Sequence, residues 1–202
     1  MKKNQDVNLG FLASGRGSNV KSIIAACRQG QLQANPAVII SNNVNSGVMD
    51  YARNENIPCF HISKRTHPDP DAEIAEQLVR YNVSLVVLAG YMKKVGPYLL
   101  NAFKNKIINI HPSLLPKYGG KGMYGMKVHE AVIAASEKVT GVTIHLVNDE
   151  YDRGQILLQQ EVKVDSSDTS ESLANRVLEV EHKLYITAIG KIISGDLVLP
   201  DD

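Results

Sequence analysis

Asn109 and His111 stand two residues apart at the end of the apolar run Ile107-Ile108-Asn109-Ile110, and Pro112-Ser113-Leu114-Leu115-Pro116 follows at once. If Ile107 to Ile110 form a strand, alternation sends both side chains out on one face at its C-terminal edge, and the prolines stop further pairing. Downstream, Asn148-Asp149-Glu150-Tyr151-Asp152 supplies carboxylates. An amide, an imidazole and a carboxylate suit acyl transfer to an amine: a donor for the developing oxyanion, a proton carrier and an anion to steady it. His111 is the pivotal group, because an imidazole of pKa ~6.5 holds or releases a proton near neutral pH. A single carboxylate against it would raise that pKa and fix the ring. The acidic cluster also has a plainer reading as a solvated turn. It lacks EF-hand spacing, no histidine pair has metal-ligand spacing, and no metal is expected.

A second chemistry-bearing segment is Ser14-Gly15-Arg16-Gly17-Ser18-Asn19, which follows an apolar run and opens a helical pattern. A helix N-terminus presents free N–H groups and partial positive charge, and glycine lets the backbone approach an anion closely. A dinucleotide site would want a third glycine where Val20 stands, and a P-loop would want Lys-Ser or Lys-Thr, so Gly17, Ser18 and Asn19 suit one terminal phosphate. A tight turn without ligand is the alternative. Tyr91 to Val95, just past the hydrophobic strand ending at Ala89, lies where open α/β sheets bind ligands. It either clamps a flat, partly apolar ring or is merely core and turn.

These groups need a scaffold, and the hydrophobic pattern supplies one. Strands are predicted at Val7–Ala13, Ala37–Ser41, Pro58–Ile62 (weak), Ser84–Ala89 and Ile107–Ile110, alternating with helices at Ser18–Arg28, Ser46–Asn56, Asp69–Tyr81 and Pro97–Phe103. A helix at Lys127–Ser136 precedes strands Thr140–Val147 and Gln155–Val164, whose short connection favours antiparallel pairing. A long helix, Ser170–Ile193, is capped by Thr169 or Ser170. The fold class is α/β: a Rossmann-like, doubly wound, mostly parallel sheet with an antiparallel C-terminal part and a long C-terminal helix. His145, inside an apolar strand, reads as structural or as support for the site.

The 202 residues, 44% of them hydrophobic, bury a core of single-domain size, and one domain over 1–202 is expected. Net charge of +1 argues against nucleic acid as a partner, and no run approaches a membrane span. Cys27 and Cys59 form no paired motif, and the start has lysines but no signal-type apolar stretch, so the cytoplasm is expected.

With Asn109-Ile110-His111-Pro112-Ser113-Leu114-Leu115-Pro116 in hand, the chain resembles the folate-dependent formyltransferases, in particular those whose acceptor is phosphoribosylglycinamide. The likeness extends over Ser14-Gly15-x-Gly17-Ser18-Asn19, Leu88-Ala89-Gly90-Tyr91-Met92, Asp149-Glu150-x-Asp152-x-Gly154 and Glu181-His182. The resemblance implies that the glycinamide amine takes the formyl group of the co-substrate 10-formyltetrahydrofolate, without a metal. It implies catalytic roles for Asn109 and His111 at the oxyanion and for Asp152 in raising the His111 pKa and assisting proton movement. Gly17, Ser18 and Asn19 would hold the ribose phosphate and Glu181 the ribose hydroxyls. Met92, Lys93, Lys94 and Val95, with Asn109, Asn148, Asp149, Glu150, Tyr151 and Asp152, would border the folate. A monomer and a homodimer both remain open. Three departures stand out: Gly119-Gly120-Lys121-Gly122 where many relatives have Pro-Gly, Leu178 where some have a polar residue, and Arg65 as an unaligned candidate for a folate-contacting arginine. Methionyl-tRNA formyltransferases and formyltetrahydrofolate hydrolases carry extra domains and are disfavoured. A non-catalytic ligand sensor on the same sheet would not require Asn109, His111 and Asp152 together.

Overall fold

The computed structural model describes residues 7–200. Strand and helix alternate as β1 (Val7–Leu12), α1 (Ser18–Arg28), β2 (Ala34–Ser41), α2 (Gly47–Asn54), β3 (Cys59–His61), α3 (Pro70–Arg80), β4 (Leu85–Leu88), α4 (Pro97–Ala102), β5 (Ile107–His111), α5 (Met126–Ala134), β6 (Val139–Leu146), β7 (Ile156–Lys163) and α6 (Ser170–Ser194). They form one seven-stranded sheet in the order β3-β2-β1-β4-β5-β6-β7. The first five strands pair in parallel, β6 runs antiparallel to β5, and β7 antiparallel to β6. This is the doubly wound, mostly parallel α/β sheet with an antiparallel C-terminal part that the hydrophobic pattern implied.

Local chemistry explains the boundaries. The Asp69 carboxylate accepts the Asp71 and Ala72 N–H groups while Pro70 begins α3, a paired start signal. Thr169 and Ser172 form a reciprocal capping box, so Thr169 rather than Ser170 caps α6. β2 begins at Ala34, earlier than predicted, and takes in Pro36. β3 pairs only with Ile39–Ser41, so on that side Pro36 has no neighbour, and on the other it stands opposite Leu9, where the β1–β2 register shifts. β5 extends one residue past Ile110, because His111 pairs with Thr143 of β6.

The sheet is covered on both faces. On one, Leu9, Phe11, Ile39, Val87, Ile108 and Ile144 pack against α1, α2, α5 and α6. On the other, Val38, Ile40, Val86, Leu88 and Ile107 pack against Ile74 and Leu78 of α3 and Leu99 of α4. Tyr185 of α6 is fully buried in the first layer, and its hydroxyl donates to the Leu88 carbonyl at 2.7 Å and leans on that of Ile108 at 3.2 Å. It therefore ties α6 to the end of β4 and the first half of β5. Removing that hydroxyl in Tyr185→Phe leaves buried carbonyls short of a donor and should cost about 1–3 kcal/mol. Urea unfolding reads the loss; an unshifted midpoint would show that the bridge contributes nothing.

Candidate active site

The strand order reverses between β1 and β4, and there the loops at the strands' carboxyl ends part to leave a cavity of about 720 Å³. Its walls are Ser14–Asn19 after β1, Gly90–Val95 after β4, Asn109–Pro112, the Gly120–Gly125 loop, Asn148, Glu150–Asp152, and Leu178 and Glu181 of α6. The structure thus brings Asn109, His111 and Asp152 together with Gly17, Ser18, Asn19 and Glu181, and with Met92, Lys93, Lys94, Val95, Asn148, Glu150 and Tyr151. Asp149, exposed like its neighbours, is not in the wall.

The catalytic cluster grows out of one pairing register. Asn109 faces His145 across the β5–β6 pair and His111 faces Thr143, so all four side chains share one sheet face. Ile108, Ile110 and Ile144 occupy the opposite, core face. The amide Nδ2 of Asn109 donates to His145 Nε2 at 3.1 Å, and His145 Nδ1 donates to the Leu146 carbonyl at 2.7 Å. A carbonyl only accepts, so Nδ1 carries a proton; the Nε2 lone pair orients the amide while the ring is neutral, and a protonated ring offers Nε2–H to Asp152 instead. One of two Asn109 N–H bonds is used in this way. The other is left for a ligand in the cavity.

Asp152 enters from the following loop, at positive φ, between the two imidazoles: Oδ2 is 3.5 Å from His111 Nδ1 and Oδ1 is 3.6 Å from His145 Nε2. Oδ2 also accepts the Gly120 N–H at 2.8 Å. Burial works to raise the Asp152 pKa, but the imidazoles and the Gly120 N–H outweigh it and hold the carboxyl below its ordinary value. His111 is 4% exposed, and its Nε2 donates to the Tyr118 carbonyl at 2.7 Å. Burial lowers its pKa, Asp152 and the Tyr118 carbonyl pull upward, and the net value stays below the ordinary one. Asp152 does act upward on the His111 pKa, but desolvation of the covered ring is the larger influence.

Residues that sequence reading missed hold this arrangement from beneath. Thr143 Oγ1 donates to the Ser113 carbonyl at 2.6 Å and accepts from the Leu115 N–H and from Gln159 Nε2. Glu137 accepts from Lys117 Nζ and the Tyr118 hydroxyl, each at 2.9 Å, anchoring the segment whose carbonyl meets His111. A polar Thr143 two residues before His145 in a largely apolar strand was the available signal.

At the far end of the cavity, Gly17 precedes α1 with φ +72, and a Cβ there would lie 2.5 Å from Val48 Cγ2. Only glycine makes this turn, which bares the helix's first N–H groups toward the cavity. Asn19 Nδ2 donates to Glu181 Oε2 at 2.7 Å. Burial pushes the Glu181 pKa up to about 7, against the Asn19 amide. Met92, Lys93 and Lys94 are exposed along the opposite wall, while Val95 is buried. Behind that wall a second cleft of about 900 Å³ is lined by Lys64 and Arg65 as well as Lys93 and Lys94. Arg65 therefore faces a neighbouring cleft rather than the main cavity. Among the described residues, no three His, Cys, Asp or Glu side chains are grouped to hold a metal ion, and no helix is long and apolar enough to cross a membrane.

A polar cluster at the switch point of such a sheet defines a small-molecule enzyme site, and the chain belongs to the formyl transferase family, which residues 7–189 match. It is 43% identical over 188 residues to the chloroplastic phosphoribosylglycinamide formyltransferase of Arabidopsis thaliana, covering 91% of this chain. The chain spans 64% of that protein's length. It is 35% identical to the phosphoribosylglycinamide formyltransferase of Bacillus subtilis (strain 168), over 90% of this chain and 92% of that one. The crystal structure of glycinamide ribonucleotide transformylase 1 from Symbiobacterium toebii superposes with a TM-score of 0.90 at 37% identity, covering 98% of this chain and 92% of the other.

The raised Glu181 pKa has a stability consequence. Its folded value near 7 lies above the ordinary 4.5, so the folded state binds more protons between these limits and loses stability as pH rises through them. Glu181→Gln should flatten that slope and leave the variant more stable than wild type at pH 8 by roughly 1–3 kcal/mol, allowing for partial solvent screening. Denaturation midpoints at pH 5 and pH 8 read it; parallel pH profiles would refute it.

Proposed function

We propose that this chain, acting as one formyltransferase domain, transfers the formyl group of 10-formyltetrahydrofolate to the amine of phosphoribosylglycinamide, a step of purine biosynthesis. The observation that carries the reading is the convergence of Asn109, His111 and Asp152 on one wall of a cavity whose far end is a glycine-opened helix N-terminus. The family membership supports it.

The ribose phosphate meets the bared N–H groups of Gly17, Ser18 and Asn19, with the helix dipole behind them. Glu181 accepts the ribose hydroxyls. The pterin lies along Met92–Val95 and the Asn148 to Asp152 turn, and the cations of the adjacent cleft suit an acidic tail. The amine lone pair attacks the formyl carbon, and the carbonyl electrons move onto oxygen. Asn109 donates its free N–H to that oxyanion. His111 Nε2–H, now given to the Tyr118 carbonyl, becomes its second donor once that carbonyl is displaced. Asp152, anionic and held by Gly120, takes the amine proton through water. The carbon–nitrogen bond to folate then breaks, and the leaving nitrogen receives a proton.

Asn109→Ala should lower kcat by about 10²–10³ as a lost oxyanion donor, and Asp152→Asn by about 10²–10⁴ as a lost acid–base group, with unchanged far-UV circular dichroism. Near-wild-type turnover in either would remove that residue from the mechanism. Transfer is followed by folate absorbance with phosphoribosylglycinamide, water and charged initiator tRNA as parallel acceptors. Formate release alone, or formylation only of the tRNA, would keep the chemistry and overturn the acceptor.

A further inference from the structure

The wall Tyr91–Gly96 separates the two cavities and contains neither helix nor strand, so its shape is set from outside. Both ends are held by side chains of other elements. Near its start, the Met92 N–H donates to Ser14 Oγ at 2.8 Å, and the Ser14 hydroxyl proton goes to Asn42 Oδ1. The Ser14 N–H also donates to the Gly90 carbonyl at 3.0 Å. One serine of the phosphate turn therefore leans on the loop after β2 and grips the loop after β4. At the other end, the Asp71 carboxylate of α3 accepts the Gly96 N–H on Oδ1 at 2.7 Å. Its Oδ2 accepts the Tyr98 and Leu99 N–H groups at 2.8 and 3.2 Å. Gly96 has no room for a side chain, since a Cβ would lie 2.5 Å from Asp71 Oδ2.

We infer that Ser14 and Asp71 are positioning residues of the folate-bordering wall, clamping it at Met92 and Gly96 and thereby setting the affinity for the pterin co-substrate. This rests on the proposed formyl transfer. The clamp matters because the wall has no helix or strand ladder of its own and carries two exposed lysines, and a wall left unclamped would have to be ordered by the stacked ring at the expense of binding. A carboxylate suits this role because it only accepts: three backbone donors converge on its two oxygens, whereas an asparagine presents an amide nitrogen to one set of them.

The test uses the full chain with Ser14→Ala and Asp71→Asn. Each should raise KM for 10-formyltetrahydrofolate roughly tenfold, as loss of one well-placed hydrogen bond does, while in Asp71→Asn, whose carboxylate lies outside the main cavity, KM for phosphoribosylglycinamide and kcat change less than about threefold. Calorimetric binding of tetrahydrofolate should weaken in parallel. Unchanged folate KM and binding would overturn the inference, and so would equal losses in both KM values and kcat, which denote general loosening. Wild type that binds folate without transferring formyl contradicts the proposed reaction but leaves the clamp to be read from binding; wild type that does neither removes both. Amide hydrogen exchange in wild type needs no variant. The Met92 and Gly96 N–H groups should exchange much more slowly than those of Lys93 and Lys94, and equal rates would overturn the clamp even if a substitution fails to fold.

Discussion

The site depends on the antiparallel register of β6 against β5. A parallel sheet ending at β5 would offer Asn109 and His111 with nothing polar opposite them. Reversing the next strand sets His145 and Thr143 across from the pair, and the turn after β6 carries Asp152 back over the same face. A slip of one residue in β5 would turn Asn109 and His111 into the core beside Ile144 and send Ile108 and Ile110 out to the site face. Three apolar residues on the reverse face thus enforce the position of the imidazole and amide.

The cluster is assembled from groups that restrain one another. Leu146 sets the His145 tautomer, His145 orients the Asn109 amide, and the Gly120 N–H favours the charged form of Asp152. His111 experiences the opposing demand: covered by the loop and β6, it loses water, and burial favours its neutral form despite the neighbouring carboxylate. Burial thus works against a charge on the ring while the Gly120 N–H works for one on the carboxylate beside it. A proton arriving between them meets two bases, which is what an acid–base pair requires.

Much of the fold was legible because its signals are local. The Ser14–Asn19 turn sits between an apolar strand and a helix, Pro70 and Asp69 announce α3, and the unbroken Leu85-Val86-Val87-Leu88 run is the mark of a doubly covered strand. Asn109 and His111 were legible from spacing alone. His145 was ambiguous because its role comes from a partner strand more than thirty positions away, a pairing that sequence periodicity does not report. Asp149 and Asp152 look alike in sequence; only the chain's turn at positive φ decides that one faces the cavity and the other water. Burial of His111 by the Tyr118 segment likewise belongs to tertiary structure. Glycine content gave no hint that the loop would cover the ring.

The Tyr118 carbonyl on His111 Nε2 bears on how the site selects what it stabilises. A neutral formyl oxygen that displaces it trades one carbonyl acceptor for another, an exchange close to thermoneutral, so the ring adds little to ground-state affinity. An oxyanion forms a charge-assisted hydrogen bond roughly twice as strong as the neutral one it replaces. The internal acceptor thus subtracts a constant from both states and leaves the difference between them, and for the proposed reaction that difference is the part of binding energy that lowers the barrier.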